Sequence, residues 1–181
     1  MENLKDDRNS EKRVMTGMFS DRKSTESAYN TLNERGYTKD EINLLMSKDT
    51  RKTHYEDDVT KKTEIGTKAA EHAGKGSAIG GTIGAIGGVV AAIGTSVLIP
   101  GLGIIIAGPI AAGLAGAGAG GLAGGAIGAM VGLGVPEARA KLYESGIKEG
   151  NVVISVTPKN EEDAKYLEDN WKTNKGHEIH R

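Results

Sequence analysis

The feature that most constrains this chain is a stretch without one Lys, Arg, Asp or Glu. It runs from Gly76 to Pro136, in a protein of 181 residues that otherwise carries 23 basic and 24 acidic ones. Within it glycine returns at every fourth position: Gly76, Gly80, Gly84 and Gly88, then Gly116, Gly120, Gly124, Gly128 and Gly132. A spacing of four is a helical spacing, yet each glycine disfavours a helix by roughly 1 kcal/mol against alanine. A bare stripe along one helix face offsets that cost where a second helix approaches closely, through van der Waals contact and weak Cα–H···O bonds. The pattern therefore predicts a glycine-zipper helical hairpin.

Pro100-Gly101 supplies the hairpin turn. The first arm, Gly76 to Leu98, would be about 35 Å long as a helix, against a bilayer hydrocarbon core of roughly 30 Å. The second arm begins near Pro109, because proline is tolerated in a first turn and not in a helix interior, and runs to Leu133. The segment TSVLIPGLGIIIAG is expected to form the tip, a turn with a short helical or re-entrant step. Large residues fall on the other faces: Ile79, Ile83, Ile86, Val89, Val90 and Ile93 in the first arm; Leu114, Leu122, Ile127, Met130 and Val131 in the second. So large an apolar patch needs a cover. Three covers stay open: membrane lipid, other copies of the chain in a soluble homo-oligomer, or burial within the monomer. The density of glycine in the first arm weakens its hydropathy as a membrane span.

The charged flanks read differently. Residues 1–12 are polar and expected to be a disordered tail; they lack the apolar core of a secretory signal. Residues 13–60 open a small α+β domain. Arg13 to Phe19 reads as a strand, Ser20 or Asp21 as a helix N-cap, and Ala28, Tyr29 and Leu32 as the inner side of a helix stopped by Gly36. Ile42 to Ser47 reads as a second strand, followed by a polar loop from Asp49 to Asp58. Residues 61–135 hold a charged helical lead-in and the zipper hairpin. Residues 136–181 begin with a helix opened by Pro136, with Ala138, Leu142 and Tyr143 facing inward. Asn151 to Thr157 is a strand with Val152, Ile154 and Val156 on one side. Asn160 caps a helix, with Asp163 at the capping-box position and Ala164, Leu167 and Trp171 on one stripe. HEIHR ends the chain as a short strand or frayed tail. Two strand–helix–strand halves give a ferredoxin-like split βαβ sheet of four strands with two helices on one face, interrupted by the hairpin. The core is thin: Val14, Phe19, Leu32, Ile42, Leu44, Val152, Ile154, Leu167 and Trp171.

Little of the sequence suggests catalysis. There is no cysteine, which excludes a disulfide framework, a thiolate metal site and a thiol nucleophile. Gly116 to Gly121 matches G-x-G-x-x-G literally, but it lies inside an apolar Gly/Ala run, with Lys141 where a dinucleotide site needs an acid. Gly74-Lys75-Gly76-Ser77 lacks the leading glycine of a phosphate loop. His177 and His180 lie three apart near the carboxyl terminus, and His54 lies among acids in a polar stretch. Neither forms a metal-ligand pattern. Lys61, Lys62 and Lys68 come without the aromatic platform of a nucleic-acid surface. The chain is expected to be no enzyme, with no cofactor, metal, nucleic acid or small-molecule substrate.

Several pieces coincide in order: VMTGMFSDRKSTESAYNTLNERGYTKDEINLLMS, then GTKAAEHAGKGSAIGGTIGAIGG, then LIPGLGIIIAGPIAAGLAGAGAGGLAGG, then GVPEARAKLYESGIKEGNVVISV. This order resembles bacterial heat-induced or general stress proteins that have a YflT-like domain and a glycine-zipper insert. The resemblance implies a stress-associated, membrane-associated protein without an established catalytic site. It also implies structural roles for Gly36-Tyr37, Ile99-Pro100-Gly101 and Val135-Pro136-Glu137. The combined expectation is a small cytoplasmic domain held at the inner membrane, or soluble, that self-assembles through its hairpin. A ligand-sensing role of the ferredoxin-like sheet is the remaining alternative.

Overall fold

A computed structural model describes residues 14–55, 96–116 and 124–181. They form a mixed α/β unit around one antiparallel sheet of six strands: β1 (Met15–Phe19), β2 (Ile42–Ser47), β3 (Ser96–Ile99), β4 (Ile104–Ala107), β5 (Val152–Val156) and β6 (His177–His180). The order across the sheet is β3-β4-β2-β5-β1-β6. Among the described residues six helices accompany it: α1 (Arg22–Glu34), α2 (residues 48–55), α3 (Pro109–Gly116), α4 (Gly125–Val131), α5 (Glu137–Lys148) and α6 (Glu161–Thr173).

β1 and β2 both run antiparallel to β5, one on each side, so they are parallel to each other. β5 and β6 flank β1 in the same way. The two strand–helix–strand segments are thus interleaved, and α1 and α6 are their crossovers. Local chemistry sets their ends. The Asp21 carboxylate caps α1 by accepting from the Ser24 amide at 2.8 Å, and Asn160 caps α6 by accepting from the Asp163 amide at 2.8 Å.

The sheet is covered on both faces, not one. On the first face α1 and α6 enclose Met15, Phe19, Ile42, Leu44, Ile154 and Trp171. On the second, α3, α4 and α5 close over Met18, Leu45, Ile104, Ile106 and Val153. Continuous apolar runs such as VVISV and IIIA follow from this, since a strand buried on both faces loses its alternation. The apolar insert therefore supplies a second core, which the expected four-stranded sheet does not have.

Several expectations for the insert need correction. Residues 96–98, placed at the end of a first helical arm, belong to β3. The expected zipper tip is a β-hairpin: Ser96–Ile99 pairs with Ile104–Ala107, and β4 extends the sheet beyond β2. Pro100 and Gly101 turn between strands rather than between helices. The second arm does start at Pro109, but it is not one helix, because Gly125 sits at φ +57 after a turn at Gly124. The expected polar loop after β2 is α2 for its first turns. Ser47 opens it by accepting from the Thr50 amide at 3.0 Å, and Tyr55 anchors it in the first core. In α5 the buried residues are Ala140, Tyr143, Gly146 and Ile147, while Ala138 and Leu142 are exposed. Pro136 is the cap of α5 and not its first residue.

One position shows how closely the insert is fitted. Gly108 adopts φ +103, and a Cβ there would lie 2.3 Å from the Ile42 carbonyl oxygen. Only glycine allows this crossing from β4 into α3. The Asn43 side chain of β2 then accepts from the Ile110 amide at 2.9 Å, so a strand of the sheet satisfies the first turn of an insert helix.

Candidate functional site

The glycines expected to form the zipper have divergent placements. Gly76, Gly80, Gly84, Gly88 and Gly120 lie outside the described residues. Gly116 is the last residue of α3. Gly124 precedes α4, Gly128 lies within it and Gly132 follows it. All three of these are exposed. A Cβ built on Gly128 meets nothing within 4 Å, and one on Gly132 meets only the carbonyl oxygens of Gly128 and Ala129. Among the described residues, then, no second helix lies on this stripe. The opposite side of α4 carries Ala126, Ala129 and Met130 into the second core. Of the large residues expected on an outer face, Leu114 and Met130 are buried against the sheet and Val131 is exposed.

A cleft of about 530 Å³ opens where β2 runs into α2. Ser47, Thr50, His54, Gly103, Lys148 and Gly150 are among its walls. Its polar groups are largely engaged with one another. The Ser47 and Thr50 hydroxyls are 2.8 Å apart, Thr50 donates to the Gly150 carbonyl at 3.1 Å, and the Lys48 amide donates to the Gly103 carbonyl at 2.7 Å. Lys148 is paired with Glu144 at 2.6 Å. These bonds tie the β3–β4 turn and the end of α5 to the start of α2. Among the described residues no three His, Asp or Glu come close enough to hold a metal.

A second polar feature crosses the sheet. Strand register aligns Asn43, Ser155, Thr16 and His180 in one row on the second face. The Thr16 and Tyr143 hydroxyls are 2.8 Å apart, and Tyr143 donates to the Glu178 carbonyl. Arg139 reaches the Glu178 carboxylate at 3.2 Å. Burial raises the Tyr143 pKa, and burial together with the Arg139 charge lowers that of His180. Tyr143 and Arg139 lock β6 to α5. Sequence reading missed the row, although three polar residues in the middle of apolar strands were the available signal. Ser155 Oγ is buried without a partner among the described residues. An unpaired buried hydroxyl carries a desolvation cost, so Ser155→Ala is expected to raise stability by about 1 kcal/mol in denaturant unfolding. A loss of stability would instead reveal a buried water bridging that hydroxyl.

The third feature joins α1 to α6. Asp163, only 3% exposed, accepts from Arg35 Nε and from the Tyr37 hydroxyl. Its carboxylate is committed to this link, not to the expected capping box. Burial and the bond to Asp163 raise the Tyr37 pKa, and burial pushes Tyr29 and Tyr55 up to about 12.

No family model, curated protein or solved structure matches this chain. Among the described residues, no helix is long and apolar enough to cross a membrane.

Proposed function

We propose that this chain is a non-enzymatic assembly protein. In this reading the interleaved β1-α1-β2 and β5-α6-β6 segments are a ferredoxin-like split βαβ scaffold, and its glycine-rich insert presents a surface for contact between copies. The general-stress setting implied by the order of segments, at the cytoplasmic side of a bacterial inner membrane, belongs to the same proposal.

One observation carries it: Gly124, Gly128 and Gly132 are turned outward while Ala126, Ala129 and Met130 of α4 are buried. Gly128 lies within α4, where an exposed position ordinarily favours a residue that forms helices better, by up to about 1 kcal/mol. A bare exposed ridge is best accounted for by a helix that must approach closely. Contact with other copies is favoured over lipid here, because Ile110, Leu114 and Met130 are already committed to the sheet. In the cleft beside α2 the Ser47 and Thr50 hydroxyls are bonded to each other and Thr50 to the Gly150 carbonyl, which fits a structural role for that corner.

Gly128 is the position to test, because the protomer has space for a side chain there. Gly128→Leu is expected to abolish self-association in sedimentation velocity while leaving circular dichroism unchanged. Gly128→Ala should raise protomer stability by up to about 1 kcal/mol while weakening association. An unchanged oligomer mass for Gly128→Leu would overturn the reading. So would recovery of the protein with lipid vesicles on flotation with no oligomer in solution.

A further inference from the structure

The two edges of the sheet differ in kind. β6 is a guarded edge. Its register with β1 is irregular, Glu178 sits at φ +51, and its residues include His177, Glu178 and His180. Arg139 and Tyr143 engage the Glu178 carbonyl from the side. These are the devices that keep an edge from pairing with another strand: charge, irregularity and cover. β3, at the other end, has none of them among the described residues. Its sequence is Ser-Val-Leu-Ile, its pairing with β4 is regular from Ser96 to Ile99, and no charged residue occurs from Ser96 to Ala107. Alternate residues of such an edge hold backbone N–H and C=O groups away from β4. Leu98 on it is 48% exposed, the most exposed large apolar residue among those described.

We infer that β3 is a docking edge for β3 of a second copy, paired antiparallel about a two-fold axis so that two six-stranded sheets become one. The occupant follows from charge and parity. Because β3 and the hairpin that carries it are uncharged, two copies face each other without opposed like charges, which destabilise cross-strand pairs. A two-fold axis perpendicular to the sheet keeps each face continuous. Directly opposed residues must then share a face, so Leu98 meets Leu98 or Ser96 of the second copy. Val97 and Ile99 fall on the other face, the one closed by α3 and α4. Such pairing hides Leu98 and satisfies the outward backbone groups in one step, as in other strand additions. This edge deepens the assembly reading but is separate from the glycine ridge of α4, so either contact can fail alone.

The test uses the full-length protein and a charge exchange at the exposed position. Leu98→Lys and Leu98→Glu should each lose the β3-mediated dimer in sedimentation velocity, and an equimolar mixture of the two should restore it. Hydrogen exchange at the β3 amides should be slow in concentrated wild type and faster on dilution or in either variant. Gly128→Leu should leave this β3 protection in place. Three results would overturn the inference: wild-type β3 amides whose protection does not depend on concentration, as when another segment of the same chain covers the edge; an unchanged dimer in Leu98→Lys; or no recovery when the Leu98→Lys and Leu98→Glu variants are mixed.

Discussion

Ile106→Ala is expected to lower the unfolding free energy of the whole sheet by about 2–5 kcal/mol. Ile106 lies in the middle of β4, opposite Leu45 of β2, and is fully buried in the second core beside residues from α3, α4 and α5. Truncating it removes the three carbons beyond Cβ and leaves a cavity in a site walled by strands that cannot easily collapse. The loss is a large share of the roughly 5–15 kcal/mol that holds a domain of this kind together. The effect is readable from the far side of the molecule. Trp171, the only tryptophan, lies on the first face, edge-on to Phe19 with ring centroids 5.7 Å apart. If the sheet and the insert form one cooperative unit, its fluorescence midpoint in denaturant should shift together with the circular dichroism midpoint. A Trp171 transition left in place by Ile106→Ala would mean that the insert folds apart from the sheet, as a separable hairpin would.

That expectation expresses the largest change between sequence and structure. A charge-free run with a period-four glycine pattern invites treatment as a module added to a domain. The described part of the insert is instead structural to the domain, contributing two strands, two helices and much of one core. Of the apolar residues that looked in need of lipid or a partner, Leu114 and Met130 find their cover on the second face of the sheet, and Ile127 packs against the same cluster. What stays outward in the described part is the glycine side of α4 and the edge at β3, both narrower than the patch first inferred.

The legible parts were those whose local pattern agrees with their tertiary setting. β1, α1, β2, β5 and α6 each show a period, a cap or a glycine stop that needs no knowledge of neighbours. β3 and β4 were obscured because Ile104-Ile105-Ile106 is apolar on both faces and so carries no strand period. Their β-branched residues around Pro100-Gly101-Leu102-Gly103 were a hairpin signal that the surrounding glycine rhythm outweighed. The break at Gly124 and Gly125 is invisible to a period-four reading, since glycine is what permits φ +57 there as well as what completes the stripe. The described part of α2 is polar, and it is held by Thr50, which donates to the Gly150 carbonyl, and by Tyr55, buried beside Arg22 of α1. The row of Thr16, Asn43, Ser155 and His180 becomes a row only once strand order is known.

Asp163→Ala is expected to cost about 3 kcal/mol, the second large effect. The carboxylate sits at the junction of α1 and α6 and serves several groups together. Arg35 and Tyr37 donate to its two oxygens, the Tyr37 oxygen accepts from the Lys159 amide at 2.9 Å, and Lys159 Nζ donates to the Arg35 and Gly36 carbonyls at 3.1 and 3.0 Å. Removing the carboxylate strands the buried Tyr37 hydroxyl without its acceptor. Arg35, about a third exposed, can turn to water, which keeps the loss below that of a fully buried ion pair. Asp163→Asn retains an acceptor but not the charge, so about half the loss should remain. Glu162→Ala provides the comparison, because Glu162 shares the first turn of α6 and the same attraction to the helix N-terminus but is exposed. If Asp163→Ala and Glu162→Ala cost the same in denaturant unfolding, the carboxylate acts only on the helix dipole, and the link between the two crossover helices must be carried by the apolar contacts beneath it.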